Sequence, residues 1–253
     1  MISLDSVTYA YGHAQPVFKD FSWQVERGEA WAVLGPSGCG KTTLLYLLAG
    51  LIFPSSGSVL VDGQHMVRPR PQTGLILQDY GLLPWATVRQ NIELGLRVRK
   101  FYGPDGRHAP AEALAPMKVD PWLDRLGLAA FQDQYPGKIS GGQRQRTAVA
   151  RTLALSPDLL LMDEPFSSLD APTRENLQDL MLALWAEQDL TLVIVTHAIE
   201  EAAILGQKIL VLNQPPNSHP KIIQNLASAE TGFRESSAYL ALCRQLRGLM
   251  GES

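Results

Sequence analysis

The sequence predicts an α/β fold built on a parallel sheet with helices on both faces, and three observations predict it. Continuously apolar runs at 30–34, 159–162 and 192–195 read as strands buried on both sides. A helical pattern over 173–187 separates the last two, as a crossover between parallel strands requires. The stretch Gly35-Pro36-Ser37-Gly38-Cys39-Gly40-Lys41-Thr42 lies between the first of these strands and an apolar helix-like run from Thr43. That strand–loop–helix setting is the one in which a glycine-rich loop cradles phosphate.

Taken in order, the opening third reads as strands. Phe21, Trp23 and Val25 alternate as in a half-buried strand, and Glu26-Arg27-Gly28-Glu29 turns the chain into strand 30–34. After the loop and its helix, Ser55-Ser56-Gly57 and Asp62-Gly63 bracket a short strand at 58–61, and 74–77 is a further strand ending at Gln78. From about 88 to 155 the chain is helix-like, interrupted at Tyr102-Gly103-Pro104-Asp105-Gly106, and reads as a helical insertion. The tail, from about 207 to 253, offers strands at 209–212 and 221–226, a loop at Pro215-Pro216-Asn217 and a helix over 237–250. In that helix Tyr239, Leu240, Leu242 and Leu246 recur at helical spacing, a pattern of core packing.

Composition narrows the function classes. A chain of 253 residues can bury a full core as one elaborated domain. A net charge of −3 excludes a broad electrostatic footprint for nucleic acid or an anionic membrane. The basic stretches Arg68-Pro69-Arg70 and Arg97-Val98-Arg99-Lys100 read as solvated faces. The 2 cysteines, Cys39 and Cys243, give neither a disulfide framework nor a zinc spacing, which fits a reducing cytosol. Cys39 reads as a small residue of the loop rather than as a reactive thiol. Met1-Ile2-Ser3-Leu4-Asp5 lacks the basic start of a signal peptide. The longest apolar run, 44–53, is about half of the ~20 residues needed to cross a bilayer. Work at a membrane would need other chains to hold this one there.

The loop's chemistry follows from its residue types. Gly35, Gly38 and Gly40, with the small neighbours Pro36, Ser37 and Cys39, let backbone N–H groups wrap phosphate oxygens, and the following helix turns its positive end to the same anion. Lys41 supplies a mobile cation for the β- and γ-phosphates, and the Thr42 hydroxyl, followed by Thr43, is placed to ligate Mg²⁺. Hydrolysis also needs a metal-linked acid and a group that activates water. Asp163 and Glu164 end a buried strand and fit those two roles. Gln78, at a strand end, offers an amide oxygen to Mg²⁺ or water, and His197, at the next, a hydrogen bond to the γ-phosphate. Ser140-Gly141-Gly142-Gln143 opens a helical run and forms a second anion site, separate from the first. One chain then holds two half-sites for a single triphosphate.

The set resembles the ATP-binding subunit of ABC transporters: phosphate loop, Gln78, Ser140-Gly141-Gly142-Gln143, Asp163-Glu164, Ser168-Leu169-Asp170 and His197, in that order along nearly the whole chain. The resemblance implies a phosphate-loop (RecA-like) parallel-sheet core with an antiparallel β subdomain and an inserted helical subdomain, 1–253 forming a single ATP-binding domain. It also implies that Tyr11 stacks on adenine, with Tyr9 as a substitute, and that Asp170 contacts the opposite subunit. Ile139 and Ala198 stand where the family usually has leucine and aspartate; the second change is expected to loosen its loop.

By the same likeness two ATPase subunits, identical or related, close head to tail on ATP and Mg²⁺. Integral membrane permease subunits dock on the segment 79–88, whose apolar and aromatic residues read as exposed, with Trp85 among the contacts, and on the helical insertion. Some residues of 79–88 instead pack the insertion onto the core. An extracytoplasmic solute-binding protein is an indirect partner, nucleic acid is not one, and the chain sits on the cytoplasmic face of the inner membrane. Leu83-Pro84-Trp85, Asn91-Ile92 and Gly95-Leu96 resemble importers of nitrate, sulfonates and taurine. Importers of a thiamin-precursor pyrimidine, lipoprotein-release or export ATPases, and soluble relatives acting on DNA or ribosomes remain as alternatives.

Overall fold

Period-two alternation along the strands divides the interior into two packed layers. The structure, a computed structural model, describes residues 1–102, 119–226, 228 and 232–251. Its strands are β1 (Ile2–Tyr9), β2 (Phe18–Val25), β3 (Ala30–Leu34), β4 (Ser56–Val61), β5 (Gln64–His65), β6 (Thr73–Ile76), β7 (Leu159–Asp163), β8 (Thr191–Thr196), β9 (Lys208–Val211) and β10 (Lys221–Gln224). One sheet is antiparallel, in the order β2-β1-β4-β5; the other runs β10-β9-β3-β8-β7-β6. In the latter every neighbouring pair is parallel except β9 with β10.

The helices are α1 (Lys41–Ala49), α2 (Val88–Tyr102), α3 (Asp120–Arg125), α4 (Gly141–Leu153), α5 (Ala171–Glu187), α6 (Ile199–Leu205) and α7 (Ser237–Met250). Ala32 and Leu34 of β3, Ile194 of β8 and Met162 of β7 face a layer shared with Ile92, Val149, Met181, Ala203 and Leu246 of the later helices. Trp31, Val33, Val195 and Leu161 face the opposite layer, which holds α1 and the antiparallel sheet. Buried residues ring α1, as a helix held between two sheets requires. Trp23 meets Trp31 edge-on at 5.1 Å and joins the two sheets.

The parallel register aligns the strand ends that matter. Leu34 pairs with Thr196, Asp163 with Val195, and Ile76 with Met162. Gly35, His197, Glu164 and the segment holding Gln78 therefore emerge on one edge of the sheet, the carboxyl edge at which α/β folds place ligands.

Several boundaries differ from the sequence expectation. The strand expected at 58–61 begins at Ser56, where antiparallel pairing with β1 extends to Thr8. The strand expected at 74–77 ends at Ile76, so Gln78 lies in a turn beyond it. The run expected at 221–226 stops at Gln224. Between α3 and α4 the chain forms short 3₁₀ turns at Ala129–Phe131 and Pro136–Lys138. Residues 103–118, including most of the expected break at 102–106, lie outside the described residues.

Where α4 crosses β6, the fit depends on a missing side chain. A Cβ on Gly74 would lie 2.3 Å from Thr152 Cγ2, and Thr152 is buried with its hydroxyl donating to Ala148 O at 2.9 Å. Gly74→Ala is expected to lower stability by about 1–3 kcal/mol. Thr152→Ser, which deletes only that methyl, should recover most of the loss. Urea unfolding of the single and double variants tests both, and equal stability of Gly74→Ala and the parent would refute the contact.

Candidate active site

The loop 35–42 is shaped by close backbone approach. A Cβ on Gly35 would meet Cys39 Sγ at 2.6 Å and Leu212 O at 2.9 Å. Gly40 has φ 106 and would meet Val17 Cγ1 at 2.5 Å, so glycine is required there on both conformational and steric grounds. Cys39 is fully buried, and burial pushes its thiol up, which fits a packing role for the side chain. Pro36 O accepts from Cys39 N at 3.3 Å, and Ser37 and Gly38 form the exposed crest of the loop.

Lys41 differs from the mobile cation expected. It is buried, and its Nζ donates to Gly35 O at 2.7 Å and to Pro36 O at 3.0 Å. A buried ammonium requires such partners, so the loop's own carbonyls aim it across the site. Glu164 Oε1 lies 3.9 Å away.

Thr42 and Asp163 come together. Thr42 Oγ1 donates to Asp163 Oδ2 at 3.0 Å. Burial pushes the Asp163 carboxyl above its ordinary range, the hydrogen bond from Thr42 pulling against it. Two hard oxygen donors side by side fit Mg²⁺, which takes one or two protein oxygens and completes its shell with water and substrate phosphate. Among the described residues no cluster of three or more His, Cys, Asp or Glu forms an all-protein metal cage.

Glu164 follows β7 in a left-handed conformation, φ 43, its N–H donating to Val195 O at 2.9 Å. Such backbone is strained for a residue with a Cβ and persists where surrounding contacts enforce it. Its Oε2 lies 3.1 Å from His197 Nδ1. The carboxylate thus sits between an ammonium and an imidazole, in a position to accept a proton from water.

Other expected residues lie around this cluster. Gln78 is exposed beyond β6, with no direct bond to Asp163 or Glu164. Tyr11 is half exposed, its hydroxyl 3.1 Å from Thr43 Oγ1 and its ring perpendicular to Tyr9 at 5.0 Å. Ser140 caps α4 in a capping box with Gln143. A Cβ on Gly142 would meet Thr173 Cγ2 at 2.4 Å, while Gly141 has room beside Leu169. Asp170 caps α5, accepting from Thr173 N at 3.3 Å, and that bond holds its carboxyl below the usual range. The structure does not bring Ser140 to the phosphate loop: α1 packs on β4, β7 and β8, and α4 on α2, α3, α5 and β6 across the sheet.

Two residues that sequence reasoning missed steady the His197 loop. Glu201 is buried, accepts from Thr196 Oγ1 at 2.6 Å and lies 3.8 Å from Arg174 Nε. Arg174 also donates to Leu169 O at 2.8 Å, and Ala198 N donates to Thr196 Oγ1 at 3.0 Å. The loop expected to be loosened by Ala198 is therefore held by Thr196. In the sequence Glu200-Glu201 resembles any acidic helix start, which hid the buried member.

The ABC transporter family model matches residues 18–167. The chain belongs to the ABC transporter family. As a member it is an ATP-binding, ATP-hydrolysing enzyme. Relatives of this ABC ATPase include an aliphatic sulfonates import ATP-binding protein, SsuB, of Bacillus cereus (strain ATCC 10987 / NRS 248), 37% identical over 88% of this chain and 86% of the relative. A taurine import ATP-binding protein, TauB, of Yersinia pestis bv. Antiqua (strain Antiqua) is 41% identical over 82% and 78%. Among solved structures, the dimeric post-hydrolysis cassette MJ0796 bound to ADP and Pi matches at TM-score 0.73 with 28% identity, covering 88% of this chain and 98% of its own. The fold also matches cbiO1 of Clostridium perfringens at TM-score 0.74 with 23% identity, over 97% and 98%.

Burial holds the Glu201 carboxyl above the ordinary glutamate range, against the bond from Thr196 and the charge of Arg174. The folded ABC ATPase therefore keeps a proton that the unfolded chain has released, and this group's contribution to stability falls as pH rises through that window. Glu201→Gln removes the titration and keeps an acceptor. Urea unfolding at about pH 4 and about pH 8 should show the variant gaining on the parent as pH rises; a pH-independent difference would contradict this.

Proposed function

We propose that the chain powers import of a small organic anion of the sulfonate class, as one of two ATPase subunits on the cytoplasmic face of a membrane permease supplied by an extracytoplasmic binding protein. The observation that carries the mechanism is Glu164 held between Lys41 and His197, beside the Thr42–Asp163 pair. The names of the sulfonate and taurine relatives support the direction and the cargo class. Residues 1–253 act as a single ATP-binding domain, with 88–155 and the tail from about 207 as its additions.

In this reading the loop N–H groups and Lys41 bind the phosphates, and Tyr11, whose exposed ring lies beside the loop's helix, stacks on adenine. Thr42 and Asp163 would hold Mg²⁺, and Gln78, on the same edge of the sheet, would offer its amide oxygen to the metal or to water. The metal, when bound, neutralises phosphate charge and orients the terminal group. Glu164 takes the proton of the attacking water, and His197 orients the γ-phosphate. The Ser140-Gly141-Gly142-Gln143 end of α4 serves the partner subunit's nucleotide, which accounts for its distance from the chain's own loop. Asp170 stands at the same subunit boundary.

The permease surface is supported by Trp85, which is 73% exposed. Asn91 is buried and bonds Leu83, Ala86 and Thr87 backbone groups, fixing the turn that projects it. The expectation of an exposed 79–88 segment is corrected for Tyr80, Ala86 and Val88, which are buried. Among the described residues no helix is long and apolar enough to cross a membrane.

Glu164→Gln is expected to slow turnover by about 10²-fold or more while leaving ATP binding intact, and to accumulate an ATP-bound dimer on size exclusion. Near-normal turnover would remove Glu164 from the role of base. Lys41→Ala should weaken nucleotide binding, read by fluorescent-nucleotide titration, and unchanged affinity would contradict the cradle.

A further inference from the structure

Tyr80 has a backbone that its residue type disfavours and a side chain that reaches a different loop. Its φ is 64, in the left-handed region that suits glycine, and it is buried in the main core. Its N–H closes a turn onto Leu77 O at 2.9 Å. Arg151, in the last turn of α4, donates to Tyr80 O at 2.7 Å and to Gly81 O at 2.6 Å. The turn after Gln78 is thus fastened to the helix that begins at Gly141. The phenol oxygen of Tyr80 then lies 2.5 Å from Ser168 Oγ.

Ser168 belongs to the turn between Glu164 and Asp170. That turn is pinned at both ends: Ser167 Oγ donates to Glu164 O at 3.0 Å, and Leu169 O accepts from Arg174. A Cβ on Gly141 would lie 3.6 Å from Leu169 Cδ2 and 3.9 Å from Ser168 O. Two turns therefore meet at the Tyr80 hydroxyl, the one after Gln78 and the one that sets Glu164 and Asp170, and the start of α4 lies against the second. Trp85, the exposed end of the first segment, is a few residues beyond Tyr80.

We propose that the Tyr80–Ser168 hydrogen bond is a positioning link that fixes the 164–170 turn against the 78–85 segment, and so sets Glu164 for hydrolysis. The link rests on the reading of Trp85 as permease contact and Glu164 as base. A hydroxyl pair suits the task because it is directional and is broken by a shift of about an ångström, whereas apolar packing at the same place would slide. In this proposal both residues act through Glu164.

Tyr80→Phe keeps the buried ring and removes only the oxygen, and Ser168→Ala removes its partner. In the purified chain each is expected to lower kcat by about fivefold or more with KM for ATP changed less than about twofold. The double variant should be no worse than the poorer single one, and Ser168→Thr, which keeps the hydroxyl, should retain most of the parent kcat. Amide hydrogen exchange should rise over 164–170 in Tyr80→Phe and stay unchanged over 35–42. Additive losses, a KM effect without a kcat effect, or unaltered exchange over 164–170 would overturn the link. Parent protein without ATPase activity, or Glu164→Gln with full activity, would instead overturn the reading on which the link rests, and the exchange result stands apart from both.

Discussion

Parallel pairing of β3 with β8 and of β8 with β7 is the constraint on which the site depends. Because the backbone bonds fix Leu34 beside Thr196 and Asp163 beside Val195, the residues that follow these strands leave the sheet at one height. Each is then one or two residues from its strand, too short a span to wander. The phosphate loop, Glu164 and His197 are distant in sequence, and no local propensity could assemble them. The sheet assembles them by register, and the two apolar layers hold that register, since a slip by one residue would exchange Trp31 and Val33 with Ala32 and Leu34 between unlike layers.

The same geometry makes the site costly to the fold. Asp163 loses hydration, Glu164 adopts left-handed backbone, and Lys41 is buried on carbonyls. None of these arrangements is the best for stability alone. Together they hold Lys41, Asp163 and Glu164 at fixed spacing, the kind of preorganised arrangement that leaves little reorganisation for a reaction. The strain is tolerated because it sits at strand ends, where α1 and the later helices pack over the sheet on either side.

Much of this was legible in the sequence, for identifiable reasons. The runs 30–34, 159–162 and 192–195 are apolar on both faces, and a continuous run of that length has few other readings. The loop 35–42 and the Asp163-Glu164 step declare themselves because glycine, lysine and paired acids at those spacings have a specific chemical use. Boundaries were less legible: β6 stops pairing at Ile76 although β7 beside it runs on to Asp163, an outcome of tertiary contacts that the apolar run 74–77 does not contain. Glu201 and Arg174 were hidden because burial of a charge is decided by neighbours from other elements. Tyr80 was misjudged for a related reason. Its segment alternates no period, and its aromatic ring looked exposed until Arg151 and Ser168 supplied partners for the backbone and the hydroxyl.

That contrast separates two kinds of functional residue. Those that touch phosphate, metal or water are constrained by chemistry, so their identities can be read one motif at a time. Those that relay position are constrained by mutual distance, and any pair of complementary groups can serve. Arg174 bridging Leu169 and Glu201, and Arg151 holding Tyr80, are of this second kind. Each joins elements on the side of the sheet away from α1, where α4, α5 and α6 converge. The phosphate loop is built on one face, and the bonds that Arg151 and Arg174 make between turns lie on the other, with the sheet edge common to both. Under the proposed link the 78–85 segment bears on Glu164 from the layer of α4, α5 and α6, while the phosphate loop is shaped from the other.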